Sequence, residues 1–206
     1  MKKLLALSAA LALALAARAE AVSYKIDSVH SSVGFTLRHM VSKFSSSFTK
    51  VSGTVNFDAA APETSSVEAT VEIGSVSTAN DKRDSHIKSP DFFDAAKFPN
   101  ATFKSKSWKK TGENLFAVTG DLTIKDVTKE VVLNTELLGT GPGMGGSTVT
   151  GWEAKTTIKK SDFGLAGPAM LGKVLGDEVA LTISIEAGFR PAAPAAPAAP
   201  AAPVAK

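Results

Sequence analysis

Between residues 22 and 189 the chain alternates apolar and polar positions with a period of two, the pattern of strands that turn one face to a core. Val33, Phe35 and Leu37 fall on one face, with Ser32, Thr36 and Arg38 on the other. The same alternation sets Val67, Ala69, Val71 and Ile73 against Glu68, Thr70 and Glu72, and Phe116, Val118, Leu122 and Ile124 against Ala117, Thr119 and Asp121. Val131, Leu133 and Leu137 continue it, as do Trp152 to Ile158 and Val179 to Ile185. With Val22–Asp27, Val51–Phe57 and Ala101–Phe103, these segments make eight or nine strands. Turn signals at Thr111–Asn114, Lys125–Val127 and Gly141–Gly143 link neighbours at hairpin length, which predicts an antiparallel sheet. A sheet with one apolar face must curl or double over to bury it, and closing into a barrel also removes its edges. The predicted fold is all-β: a single extended antiparallel eight-stranded β-barrel, its interior either filled by side chains or wide enough for one slim ligand.

The alternation breaks twice. Over His39–Thr49, Val41, Phe44 and Phe48 stand at helical spacing and predict a short amphipathic turn. From Thr78 to Pro99, Asp81–Lys88 reads as a short polar helix capped by Asn80, and Ser89-Pro90-Asp91 as a second helix start. Pro99 then forces Phe98 into an extended conformation. Six of the eleven phenylalanines, Phe44, Phe48, Phe92, Phe93, Phe98 and Phe163, thus fall outside regular strands. These short helices near the barrel mouth either line an apolar pocket or plug the end as ordinary core, and the pattern leaves both readings open.

The two ends differ from the middle. Met1–Ala19 has a charged start at Lys2-Lys3, an apolar run from Leu4 to Ala17 and a small-x-small cleavage pattern at Ala17-Arg18-Ala19, the signs of a secretory leader. The run is too short for a retained membrane span. Residues 191–206 are an Ala/Pro repeat that cannot bury enough apolar area to fold, either a semi-extended tether or a tolerated disordered end. The expected domain is 20–190, and its expected destination is the periplasm.

Composition narrows the chemistry. With no cysteine there is no disulfide scaffold, thiolate zinc site or cysteine nucleophile. Removing Lys2, Lys3 and Arg18 with the leader leaves 20 basic against 20 acidic residues, so the mature chain lacks the basic excess of a nucleic-acid binder. Gly141–Gly146 spells G-x-G-x-x-G, but Pro142 inside it and the β-like Thr148-Val149-Thr150 after it predict a hairpin loop, not a dinucleotide site. Asp162-Phe163-Gly164 stands without the rest of the kinase signature and reads as a turn. The three histidines, His30, His39 and His86, have no ligand spacing on one helix. Asp81, Arg83, Asp84 and His86 read as an ion-paired helix surface. A membrane barrel would need aromatic girdles, and one tyrosine with two tryptophans does not make them.

Several blocks occur in a familiar order: Tyr24-Lys25-Ile26-Asp27 with His30-Ser31, Phe35 and Arg38-His39, and Phe48–Phe57 with Gly53. Then come Arg83-Asp84-Ser85-His86-Ile87-Lys88-Ser89 with Asp91-Phe92-Phe93-Asp94, and Lys97-Phe98-Pro99 with Phe103. Gly120–Ile124, Asp162-Phe163-Gly164 and Gly176–Val179 complete them. Over about Ser23–Phe189 the chain resembles the YceI family of bacterial periplasmic proteins. The resemblance implies a lipocalin-like barrel whose lumen holds a long apolar chain: a polyisoprenoid, an isoprenoid quinone or precursor, or another fatty molecule. No enzymatic activity is established for the family, and dimers are common in it; the chain is expected to have no catalytic residues, no cofactor and no metal, with a homodimer and transient membrane contact as expected associations. Two departures stand out: Asp126 where the family usually has glycine, although aspartate also tolerates the left-handed φ expected there, and Lys160-Ser161 before Asp162 where an arginine is frequent, which leaves that local ion pair open.

On these grounds Phe35, Leu37, Phe44, Phe48, Val55, Val71, Phe92, Phe93, Phe98 and Phe163 are the expected tunnel wall. Met40 and Met170 are expected as adaptable fillers, and His39 or Asn80 as partners of a polar headgroup. Two other classes compete with a carrier. One is an enzyme, metal-assisted or otherwise, that acts on a lipid through His39 and His86; the other is a structural envelope protein whose tail binds a partner.

Overall fold

The computed structural model describes residues 21–191. The expected leader and all but the first residue of the expected tail lie outside the described residues. Eleven strands form: β1 (Val22–Ile26), β2 (Ser32–His39), β3 (Ser42–Phe48), β4 (Val51–Phe57), β5 (Ser66–Glu72), β6 (Val76–Ser77), β7 (Asn100–Gly112), β8 (Leu115–Ile124), β9 (Val127–Pro142), β10 (Thr148–Lys159) and β11 (Leu175–Phe189). Eight of them close an antiparallel barrel in the order β1-β4-β5-β7-β8-β9-β10-β11, with β11 returning to β1.

The excess over eight has a simple geometric origin. β11 is long enough to hold β1 along one part, with Lys25 opposite Gly188, and β2 along the other, with Val33 opposite Ile183. β4 and β3 then pair with β1 and β2 respectively, and β5 and β6 with β4 and β3. Three of the eight barrel positions are therefore strands broken in two, at 27–31, 49–50 and 73–75. Gly53 on β4 sits at φ +143°, and a Cβ there would lie 2.1 Å from the Glu68 carbonyl oxygen of β5, so this strand crossing admits only glycine.

A polar brace holds the break between β1 and β2. The Ser31 hydroxyl donates to the Glu186 carbonyl and accepts from the Glu186 N–H, at 3.2 and 3.1 Å. His30 Nδ1 lies 2.8 Å from Asp27 Oδ2 and 3.8 Å from Glu186 Oε1. The hydrogen bond to Asp27 raises the His30 imidazole above its ordinary value, and the same bond, with the Val29 N–H, lowers the Asp27 carboxyl. The raised histidine contributes stability below its ordinary 6.5 and loses it as pH rises through the raised value; the lowered carboxyl contributes above its ordinary 3.8 and loses it as pH falls through the lowered value. The brace is thus complete between those two ordinary values. Asp27→Asn is expected to bring the His30 titration, followed by NMR, back down toward 6.5, whereas an unmoved titration would remove Asp27 as its cause.

Three local expectations are corrected. His39–Thr49 forms not an amphipathic turn but the hairpin arm β3, with Phe44 opposite Leu37, Ser46 opposite Phe35 and Phe48 opposite Val33. A spacing of four residues satisfies both a helix face and a strand face, and pairing with β2 decided between them; Phe44 and Phe48 accordingly belong to a regular strand. The Ser89-Pro90-Asp91 start does not propagate into a helix: Ser89 instead ends α1 (Asp81–Lys88), its N–H and hydroxyl both donating to the His86 carbonyl, and Asp94 at φ +49° turns the chain away. In the β8–β9 turn Lys125, not Asp126, takes the left-handed φ of +57°. The expected cap of α1 does form, with Asn80 Oδ1 accepting from the Arg83 N–H at 3.0 Å.

The inward faces pack into two clusters. At the end carrying the β7–β8 and β9–β10 turns, Phe57, Trp108, Phe116 and Trp152 interlock with ring centroids 4.9–6.2 Å apart. At the other end Phe48, Ile73, Val76, Ile124, Ile158 and Phe163 form a second cluster beneath the β2–β3 hairpin and α1. The space between them is not filled.

Candidate functional site

Two cavities lie along the barrel interior. The lower, about 120 Å³, is walled by alternate positions of the strands, among them Val55, Val67, Leu133, Thr156 and Ile183. The upper, about 450 Å³, runs from the barrel waist to solvent at the β2–β3 hairpin and α1. Val33, Val71, Ala101, Leu122 and Leu181 line both, so the two abut at a shared apolar waist. Period-two alternation is what makes this wall: each strand sends every second side chain inward, and here those chains are too small to meet across the centre.

The upper wall gathers Phe35, Leu37, Phe44 and Phe48 from the hairpin with Phe92 and Phe93 from the turns after α1. Phe35 packs on Phe44 and Phe48 at 6.3 and 5.5 Å, and Phe48 meets Phe93 edge-on at 5.6 Å. Phe92 is seated against Gly167, where a Cβ would stand 2.6 Å from the ring, so glycine is what allows the 164–168 segment to close over it.

The polar residues on this wall are basic or neutral: His39, Ser42, Lys43, Arg83, His86 and Lys160. Arg83, His86 and Ile87 share one face of α1 through i, i+3, i+4 spacing. The Arg83 guanidinium stacks 4.5 Å over the Phe44 ring and donates to Thr78 Oγ1 at 2.9 Å and to the Thr78 carbonyl at 2.7 Å. Buried Thr78 also ties down Asp84, its N–H donating to Oδ1 at 2.9 Å. The ion-paired helix surface expected of Asp81, Arg83, Asp84 and His86 therefore does not form: Arg83 and Asp84 both turn to Thr78, and His86 pairs with Asp91 at 2.9 Å. Lys160 is buried at the cavity edge, its ammonium donating to the Ala166 carbonyl at 3.3 Å and standing 4.0 Å from Asp177. Asp177 is held by the Ser161 hydroxyl at 2.7 Å and N–H at 3.0 Å, which lower its carboxyl below the ordinary range. That carboxylate replaces the local ion pair left open by the Lys160-Ser161 departure.

Of the expected tunnel residues, Phe35, Leu37, His39, Phe44, Phe48, Phe92 and Phe93 stand on the upper wall, Val55 on the lower and Val71 on both. Five are elsewhere. Phe163 is 1% exposed and packed as solid core. Phe98 lies under the Lys97 ammonium, 4.9 Å from its ring centre. Asn80 is occupied as the helix cap, and Met40 and Met170 project outward rather than filling the lumen. Sequence reasoning overlooked Lys160, although its parity with Trp152, Ala154, Thr156 and Ile158 points it inward. It also overlooked Leu171, Val174 and Leu175, whose spacing suits a short turn folded over the mouth.

A closed antiparallel barrel with an apolar internal cavity defines a lipocalin-like class of protein. Within it, the YceI-like domain pattern matches residues 24–187. The chain belongs to the YceI-like family. It is 40% identical over 191 residues to Protein YceI of Escherichia coli, covering 90% of this chain and 96% of that one. Among solved structures, Burkholderia cenocepacia BcnA superposes with a TM-score of 0.72 at 25% identity, covering 78% of this chain and 98% of BcnA. A polyisoprenoid binding domain from Saccharophagus degradans, implicated in plant cell wall breakdown, shares the fold at TM-score 0.61 and 18% identity, covering 81% of this chain and 98% of that domain.

Proposed function

We propose that this protein is a periplasmic carrier or reservoir for a long apolar lipid, a polyisoprenoid or an isoprenoid quinone or precursor, held in the barrel lumen without chemical change. The observation that carries the reading is the unfilled apolar interior, about 450 Å³ above the waist and about 120 Å³ below it. The polyisoprenoid-binding relative of the same fold and the secretory leader read from the sequence support it. Burying apolar carbon is worth about 0.8 kcal/mol per CH₂, so one isoprene unit offers roughly 3–4 kcal/mol gross. A few units exceed what tight binding requires after the cost of ordering the chain. The lipid's polar end sits at the upper mouth, where Arg83, His86 and Lys160 supply donors and the cavity wall carries no carboxylate.

Native mass spectrometry of gently purified protein is expected to show an adduct removed by organic extraction; bare protein from its own host would overturn the reading. His39→Ala and His86→Ala are expected to retain the adduct. Loss of a lipid turnover in these variants would instead establish the enzyme.

A further inference from the structure

The β2–β3 hairpin turns at Met40 and Val41, with Met40 at φ +50°. A two-residue hairpin loop requires left-handed backbone, which asparagine and glycine supply at least cost, so turn physics gives no reason for Met-Val. Nor does packing, because Val41 is fully exposed and Met40 56% exposed. Facing them, Met170 is 79% exposed on the turn Ala169–Lys173. The two segments are tied directly, the Met40 N–H donating to the Val174 carbonyl at 2.7 Å. Three large apolar side chains are thus exposed to water on two segments that meet at one end of the barrel.

This is the end where the upper cavity opens. Exposed His39, Ser42 and Lys43 on the hairpin and half-buried Leu171 and Val174 on the facing segment are part of the cavity wall. Charge follows the same geography. The hairpin and the facing segment carry no aspartate or glutamate, none occurring between Asp27 and Asp58 or between Asp162 and Asp177; of the carboxylates that flank them at this end, Asp177 is held by Ser161, Asp84 by Thr78 and Asp91 by His86. Arg38 is fixed there by donating to the Met40 carbonyl at 2.9 Å, and Lys43 stands on the same hairpin. Exposed Leu115 and Met144, by contrast, lie at the opposite end beside the aromatic cluster.

We infer that this tip is a membrane-docking surface that takes an anionic phospholipid bilayer. Met40, Val41 and Met170 enter the headgroup layer, Arg38 and Lys43 meet the lipid phosphates, and the cavity mouth is set against the bilayer. The inference rests on the lipid-carrier reading and adds where the lipid enters and leaves.

The test separates the two. Purified, delipidated protein is loaded in one arm with a polyisoprenoid alcohol added from ethanol, and in the other from phosphatidylglycerol–phosphatidylethanolamine vesicles containing it. Val41→Asp and Arg38→Gln, both at residues outside the cavity wall, are expected to take up the alcohol normally from ethanol, but to co-float with vesicles and load from them at least about fivefold less than wild type. Thermal unfolding checks that both variants fold; Val41 is fully exposed, so its replacement disturbs no packing. Equal vesicle loading by wild type and variants overturns the docking surface, as does equal binding of wild type to neutral phosphatidylcholine vesicles. A concentration-dependent dimer abolished by Val41→Asp would assign the tip to a second copy and overturn it too. Wild-type protein that takes up no lipid even from ethanol overturns the carrier reading itself.

Discussion

Trp152→Ala is expected to destabilise the barrel by about 3–5 kcal/mol, the range for removing a large buried aromatic. In a domain of this size that lowers the melting temperature by roughly 10 °C. Trp152 is 4% exposed, and its ring centre lies 4.9 Å from Phe57, 5.7 Å from Trp108 and 6.2 Å from Phe116. Its indole N–H donates to Thr150 Oγ1 at 2.9 Å, and that hydroxyl donates in turn to the Ala187 carbonyl at 3.3 Å. The chain of bonds ties β10 to β11 where the barrel closes. Trp108, in the same cluster, differs in one respect: its buried N–H has no hydrogen-bond partner among the described residues. Replacing each by phenylalanine separates packing from hydrogen bonding. Trp108→Phe is expected to be about neutral, because removing an unpaired buried donor offsets the lost area. Trp152→Phe leaves the Thr150 oxygen without its donor and is expected to cost about 1–3 kcal/mol. Urea unfolding of the pair checks this, and equal stabilities would refute the hydrogen-bond argument.

Ala101→Phe is expected to shorten the lipid the protein retains. Ala101, on β7 opposite Val71, lines both cavities, so a phenyl ring there fills the waist. Because the ring enters existing space, the overpacking cost stays at or below the usual 1–3 kcal/mol. Excluding five carbons of an apolar chain from the lower cavity forfeits roughly 3–4 kcal/mol of gross burial. That corresponds to a loss of affinity of at least about a hundredfold for long chains. Mass spectrometry of the extracted lipid is then expected to show a shorter chain-length distribution than wild type. An unchanged distribution would mean that the lower cavity takes no part in binding.

What the sequence by itself determined is the barrel and the inward-facing half of each strand. Period-two alternation assigned Val33, Phe35 and Leu37, Val71, and the Trp152–Ile158 row to one face, and closure turned that face inward. This is legible because strand parity is local: a side chain two residues on always returns to the same side. The family blocks around His86 and Phe92–Phe93 pointed to the same region. Tertiary structure decided the rest, because it depends on which distant segment supplies a partner. Phe44 and Phe48 fit a helix or a strand until β2 paired with them. Phe163 and Phe92 look alike as isolated aromatics, yet one packs solidly as core and the other borders empty space. Met40 and Met170 were expected in the lumen as fillers; the hairpin and the facing turn instead direct them to water. Whether the interior would be filled or hollow was likewise undecidable from alternation, since an inward residue is apolar in either case, and only the closed barrel shows the apolar cavities left between its two packed clusters.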